Sequence, residues 1–391
     1  MQYRIDPKSG NQLSVLGYGC MRFTKKGMAI DQAKAEKEMA YAIQQGVNYF
    51  DTAYIYPGSE AALGKFLAKG FRDKVYIATK LPHYIVKNLS DADRIFEEEL
   101  RRLQTDHIDY YLMHMLTDMG GWERMCGLGI EDWIRRRKES GQIRQIGLSY
   151  HGGTPGFLKI LEAYPWDFCQ IQFNYMDEHS QAGLKGLRRA AELGIPVIIM
   201  EPLRGGRLAG GLPSGAVQCF AQADPHRSPV DWALRWIWNH PEVNVVLSGM
   251  NDLAQVEENV RIASEAHPNS LTEQELAVFD RVRQEISRVT KVGCTGCGYC
   301  MPCPQGVDIP VCFRCYNVRF SDGWFNGLRE YLMCTTFKKN KTNASKCIQC
   351  GKCEAHCPQS IPIRKELQNV SKTMERLPYR IARFFSRLVK F

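Results

Sequence analysis

Two runs of cysteine and four polar residues at the ends of apolar stretches carry the chemistry of this 391-residue chain. CTGCGYCMPCP puts Cys294, Cys297, Cys300 and Cys303 at every third position, and CIQCGKCEAHCP puts Cys347, Cys350, Cys353 and Cys357 in the pattern C-x2-C-x2-C-x3-C-P. Thiolates at these spacings wrap soft metal centres, either iron–sulfur cubanes or zinc. Zinc sites usually pair two C-x2-C units across a loop, so two quadruple arrays, each closed by Cys-Pro, point to [4Fe–4S] clusters first and zinc second. The polar four are Asp51 closing VNYFD, Tyr56 five residues on, Lys80 closing VYIATK and His114 closing IDYYLMH. Singly they read as a cap, a core phenol, a solvated cation and a satisfied imidazole. Together, at the ends of three consecutive strands where barrel active sites sit, they are hard to read as four bland residues and mark a candidate active site.

The elements that would position them are regular. Short apolar stretches at 16–20, 47–51, 75–80, 108–114, 143–149, 168–174, 197–201 and 243–249 alternate with helical patterns such as QAKAEKEMAYAIQQG and DADRIFEEELRRLQT. Near-continuous apolar strands separated by helices predict a parallel sheet covered on both faces. Eight units predict an α/β fold of the (β/α)8 barrel type, with an open doubly wound sheet as the alternative. RIDPKSGNQLSVLG reads as a hairpin ahead of the first barrel strand. Past Thr290 the composition turns to Cys, Gly and Pro, so we divide the chain into a barrel (1–285), a small, mainly helical two-cluster domain (286–365) and a basic amphipathic tail (366–391).

Eleven of the fifteen cysteines fall between 294 and 357, a density that in a reducing compartment means metal rather than disulfides. Cys312 and Cys315 could substitute for a cluster ligand, but read first as packing residues or neighbours of a cluster, and Cys334 reads as a small apolar residue. No apolar run is long enough for a membrane span and the N-terminus has no signal-peptide pattern, so the expected location is cytoplasmic. The formal net charge of +9 is uneven: residues 361–391 hold eight Lys/Arg and two Glu. That argues against a nucleic-acid-binding body and for one basic tail. In the tail Arg380, Arg383, Arg387 and Lys390 fall on one helical side and Ile381, Phe384, Phe385 and Leu388 on another. Self-docking, a partner and a membrane surface are its three readings, in that order.

The stretches FDTAYIYPGSEAALGK, YIATK, IDYYLMH, IGLSYH and VLSGMNDLAQVEEN resemble the aldo-keto reductase family over residues 1 to 270. The C-terminal part resembles the ferredoxin-like 4Fe–4S domain carried by a subgroup of it. The resemblance implies hydride transfer between NADP(H) or NAD(H) and a small carbonyl or alcohol substrate, with Asp51, Tyr56, Lys80 and His114 as the catalytic set. It implies that Ser149 and Gln170 hold the nicotinamide carboxamide. Met200 falls where an aromatic often stacks on the ring. Gly249, Met250, Gln255, Glu258 and Asn259 would clasp the adenosine end, the last two as an adenine-binding pair. Gly249 and Gln255 stand where the family often places Lys and Arg against the 2′-phosphate; a neutral pair makes no charge-assisted clamp, which leaves NADH and NADPH both open, with Arg261 and Arg204 as alternative cations. Arg22, after the first strand, is a contact or a structural residue; His83, Trp122 and His151 are candidate pocket residues. In the two-cluster pattern Cys294, Cys297, Cys300 and Cys357 hold one cluster and Cys347, Cys350, Cys353 and Cys303 the other. Hydride carries two electrons and a cubane one, so three functions stay open. They are a carbonyl reductase with structural or sensing clusters, a barrel wired to a redox partner (through a flavin, if one binds), and a non-catalytic electron-carrier or assembly module.

Overall fold

The computed structural model describes residues 1–321, 323–337 and 340–388, with the backbone alone over 384–388. Eight parallel strands close into a barrel in chain order. They are β1 (Leu16–Gly19), β2 (Tyr49–Asp51), β3 (Tyr76–Leu81), β4 (Ile108–Leu116), β5 (Ile143–Tyr150), β6 (Phe168–Gln172), β7 (Val197–Met200) and β8 (Val243–Ser248). Each coincides with one of the eight apolar stretches, so closure settles the choice between barrel and open sheet. Tyr3–Ile5 and Gln12–Ser14 pair antiparallel ahead of β1, as the turn chemistry predicts. Leu13 of this hairpin joins Tyr49, Ala78, Tyr110, Leu112, Phe168, Ile198, Val245 and Leu247 in the barrel interior. Burying inward side chains of both hairpin and strands makes the interior a packed core rather than a pore.

The connecting helices follow their sequence signals. Gln32–Gln44 starts on Asp31, whose carboxylate accepts the Lys34 N–H, and stops before Gly46 at φ 92°. Leu89–Leu103 starts on Asn88 and ends in a left-handed Gln104. Helix Ser59–Leu67 packs so tightly that a Cβ on Gly64 would stand 2.1 Å from the carbonyl oxygen of Arg102. Arg102 in turn donates to the carbonyl oxygen of Tyr54 at 3.2 Å, a tie to the loop that carries Tyr56.

The chain divides into two compact units, Met1–Pro202 with Val230–Leu271, and Leu203–Pro229 with Thr272–Phe391. The segment after β7 and the helix Glu273–Val289 thus belong with the cysteine-rich region. The second unit packs helices Ile309–Ser321, Trp324–Tyr331 and Ile363–Met374 around Val307, Cys312, Phe313, Cys315, Tyr331, Leu367 and Val370. Cys312 and Cys315 are fully buried in this core, matching the packing reading. Cys334 instead accepts from Arg314 Nη2 at 3.4 Å. Helix Leu377–Leu388 follows, with Tyr379 buried and Leu377 and Ile381 exposed. The side chains of Phe384, Phe385, Arg387 and Leu388, and all of Lys390, lie outside the described residues. No helix among the described residues is long and apolar enough to cross a membrane.

Candidate active site and cysteine arrays

The C-terminal ends of the strands bring the polar four together. Lys80 is buried, with Nζ 2.6 Å from Asp51 Oδ1 and 2.7 Å from the carbonyl oxygen of Thr52. The same Nζ stands 5.5 Å from the centre of the Tyr56 ring. The rings of Tyr56 and His114 meet edge to face, with centroids 6.1 Å apart and planes at 83°. An ammonium this well withdrawn from water needs its carboxylate partner, and Asp51 supplies it.

His114 owes its direction to an irregularity. The pairing of β4 with β5 shifts between Met113 and Leu116, and Met115 adopts φ 60°. A bulge re-aims the neighbouring side chain and frees a backbone N–H. Here Ser149 Oγ accepts the Met115 N–H at 2.7 Å, and its own hydroxyl proton stays available. Burial first, then the charge of Lys80, holds His114 well below the ordinary imidazole range, so the ring is neutral. Its Nδ1 is buried with no hydrogen-bond partner. A buried polar atom without a partner is costly, and a ligand in this mouth would satisfy it.

The expected nicotinamide contacts occupy the same rim. Gln170 and Ser149 are register partners on β6 and β5, and Met200 closes β7 opposite Gln172. Gln170 Nε2 donates to Asp51 Oδ2 at 2.9 Å, which leaves its carbonyl oxygen for a ligand's amide. Past β8, the Arg22 side chain lies over Gly249: a Cβ there would meet Arg22 Cδ at 3.2 Å. The turn from β1 therefore puts a cation beside a position where the sequence has none. Arg261 is committed to Asp231 and Glu265. Gln255 accepts the Asn251 N–H at 3.2 Å and closes the turn. Asn259 is buried and donates to Ser248 Oγ at 2.9 Å, so it braces the end of β8. Met250 is buried, its carbonyl oxygen accepting from Tyr18 OH at 3.0 Å. Glu258 lies on the same helix, Leu253–Glu265.

Of the candidate pocket residues, His83 and His151 are buried close enough to act electrostatically on His114. Trp122 packs instead into an aromatic group, with ring centroids 4.7 Å from Trp166 and 5.2 Å from Tyr164. Sequence reasoning missed a polar network beyond β6. Asp177 accepts from Gln172 Nε2 at 2.6 Å and Asn174 Nδ2 at 3.0 Å. Gln181 donates to Gln172 and stands 3.2 Å from His151 Nδ1. The signal was present as QFNYMDEHSQ, polar residues where an ordinary strand end would be bland.

The two cysteine arrays share one backbone plan. The second and fourth residues after the first cysteine are left-handed in both: Gly296 at φ 74° and Gly298 at 84°, Gln349 at 61° and Gly351 at 77°. Such turns direct backbone N–H groups towards an anionic body. Gly296 N donates to Cys294 Sγ at 3.4 Å and Gln349 Nε2 to Cys347 Sγ at 3.3 Å. Cys300 is pushed up to about 12 by burial, then by the neighbouring charges of Cys294, Cys297 and Cys357. Cys353 is raised by burial, with Cys347 and Cys350 among its charged neighbours. Cys357 therefore lies close enough to Cys300 of the first array to act on it electrostatically. Cys303 packs against the core these cysteines share. Among the described residues no three metal-ligating side chains converge on one ion. Four thiolates per array at these spacings would fit the corners of a cubane. Thiols that resist ionising beside one another bind a positively charged iron core by releasing protons to solvent.

The aldo/keto reductase family is matched over residues 15–283. A 4Fe–4S dicluster domain is matched over residues 293–361. "Protein tas" of Escherichia coli (strain K12) is 33% identical over 349 residues, covering 73% of this chain and 98% of its own. "Uncharacterized oxidoreductase YrpG" of Bacillus subtilis (strain 168) is 31% identical over 232 residues, 54% of this chain and 69% of its own. Among solved structures, aldo-keto reductase AKR11C1 from Bacillus halodurans in its holo form superposes with a TM-score of 0.60 at 27% identity. It covers 72% of this chain and 96% of its own.

Proposed function

The chain belongs to the aldo/keto reductase family and carries a 4Fe–4S dicluster domain, and from that premise we propose that it reduces a small carbonyl substrate with Tyr56 as proton donor and holds two [4Fe–4S] clusters. It is an NAD(P)H-dependent oxidoreductase. A bound nicotinamide supplies the hydride; the chain's own residues bind, orient and move the proton. The observation that carries this reading is the buried Lys80 ammonium, held by Asp51 and Thr52 at one end and facing the Tyr56 ring at 5.5 Å. As negative charge builds on the substrate oxygen, Tyr56 gives up its proton and Lys80 stabilises the phenolate left behind. Neutral His114 donates a hydrogen bond to that oxygen rather than a proton. Ser149 and Gln170 present a donor and an acceptor to the carboxamide, and Arg22 faces the phosphate-bearing end.

The crossed sets Cys294, Cys297, Cys300, Cys357 and Cys347, Cys350, Cys353, Cys303 would each hold one cluster. Coupling them to hydride chemistry requires a carrier that handles both one and two electrons. A flavin would serve, and release of flavin from anaerobically purified protein tests for it; a redox partner protein is the external alternative.

The deciding experiment is Tyr56→Phe. The wild type should oxidise NADPH or NADH with a panel of aldehydes, and the variant should lose about 10²–10⁴-fold in kcat. Undiminished turnover would remove Tyr56 from the reaction.

A further inference from the structure

Arg207 lies in the segment after β7 that belongs to the cysteine-rich unit. Its Nη1 donates to the carbonyl oxygen of Cys294 at 2.6 Å. Arg204 donates to the carbonyl oxygen of Gly293 at 3.4 Å, one residue earlier. Arg207 is half-buried, and burial lowers its pKa while Cys294 acts in the other direction. Among the described residues no carboxylate pairs with it, and the other charges acting on it include the guanidiniums of Arg204 and Arg314. A cation drawn from water without an anion is costly. The thiolates of the first array, with the body they hold, are the anion within reach.

The second array is arranged differently. The guanidinium of Arg364 packs on Gly351 but is paired with Glu354 at 2.8 Å. The side-chain donor to Cys347 Sγ is the neutral amide of Gln349. The half-buried guanidinium at the first array, Arg207, thus has no carboxylate among its partners in the described residues, whereas Arg364 at the second is ion-paired.

Resting on the two-cluster reading above, we infer that Arg207, assisted by Arg204, sets the reduction potential of the first cluster and leaves the second untouched. Reduction adds one electron and no proton to a cubane already made anionic by four thiolates. A fixed cation stabilises the reduced form more than the oxidised one and raises the potential. It offsets the burial of Cys294 and Cys300, which acts in the opposite direction. Arg207 is thus a positioning residue for charge: it touches the cysteine backbone, not the substrate.

The test uses the full chain, purified without oxygen and free of nicotinamide. Iron and sulfide are counted first, and about eight of each per chain are expected; fewer would overturn the two-cluster reading, and this inference with it. EPR-monitored redox titration with dithionite and mediators then compares the wild type with Arg207→Gln, Arg207→Lys and Arg204→Gln. Arg207→Gln should lower the reduction equilibrium constant of one cluster about tenfold, about 59 mV for one electron. Arg207→Lys keeps the charge and should stay close to wild type. Arg204→Gln should move the same cluster in the same direction by less. An unchanged midpoint in Arg207→Gln, or both clusters moving together, would overturn the assignment. Arg207→Lys falling as far as Arg207→Gln would make Arg207 a mechanical brace of the Cys294 carbonyl and equally overturn it. Should Arg207→Gln load only one cluster, Arg204→Gln decides, because it removes charge without breaking the 2.6 Å bond.

Discussion

Gln170 of β6 reaches across the barrel mouth to donate its side-chain amide to Asp51 of β2 at 2.9 Å. The strands are diametrically opposed in the closed order, so this bond ties the expected cofactor side of the mouth to the carboxylate that holds Lys80. Gln170→Glu would set a second carboxylate against Asp51. We expect it to weaken nicotinamide binding and lower kcat together, whereas Gln170→Leu should act mainly on KM for the cofactor. Stopped-flow cofactor binding beside steady-state rates separates the two; equal behaviour of both variants would argue that the bond to Asp51 carries no weight.

The buried Lys80–Asp51 pair should be worth most when half of it is removed. Lys80→Met leaves Asp51 charged and enclosed, and should cost about 3–5 kcal/mol of stability. The double variant Lys80→Met, Asp51→Leu should recover part of that loss. Urea unfolding at neutral pH measures both, and a single-variant loss below about 1 kcal/mol would contradict the buried pairing.

Burial lowers His114 well below its ordinary range, and it holds His83 and His151 down to about 4, from an ordinary 6.5. Unfolded, these rings take up protons as the pH falls through about 6.5; folded, they resist until about 4. The unfolded chain binds more protons across that window, so stability is full above it and is lost as the pH falls from 6.5 towards 4. The denaturation midpoint should therefore drop between pH 7 and pH 5, and the double variant His83→Gln, His151→Gln should flatten the slope. A midpoint independent of pH in the wild type would be inconsistent with buried neutral rings.

Arg22 over Gly249 would give the expected nucleotide end a cation that Gly249 and Gln255 do not supply. Arg22→Gln should raise KM for NADPH about tenfold, the loss of one charge-assisted hydrogen bond, and leave NADH nearly unchanged. An equal change for both cofactors would place Arg22 away from the 2′-phosphate.

Cys357 and Cys300 are neighbours although 57 positions separate them. Cys357→Ser should disturb the cluster of the first array and spare the one held by Cys347, Cys350 and Cys353. Mössbauer spectra of iron-57 protein would count the clusters that survive. Loss of the second cluster alone would show that each array closes on its own fourth cysteine.

The chain's own residues determined much of this protein. Eight apolar stretches at regular intervals specified eight strands, because a strand buried on both faces has few other ways to be written. The cysteine spacing specified cluster-binding loops, because chelation geometry is local. Asp51, Lys80 and His114 were legible because each stands near the end of an apolar strand, and Tyr56 because it follows one. Three features were decided only by tertiary structure. The bulge at Met115, which aims His114 and consumes an oxygen lone pair of Ser149, depends on how β4 meets β5. The placing of Arg22 on Gly249 depends on β1 and β8 becoming neighbours when the barrel closes. The pairing of Arg207 with Cys294 joins residues 87 positions apart. A side chain's partner across such distances is set by packing, and no local pattern in the sequence encodes it.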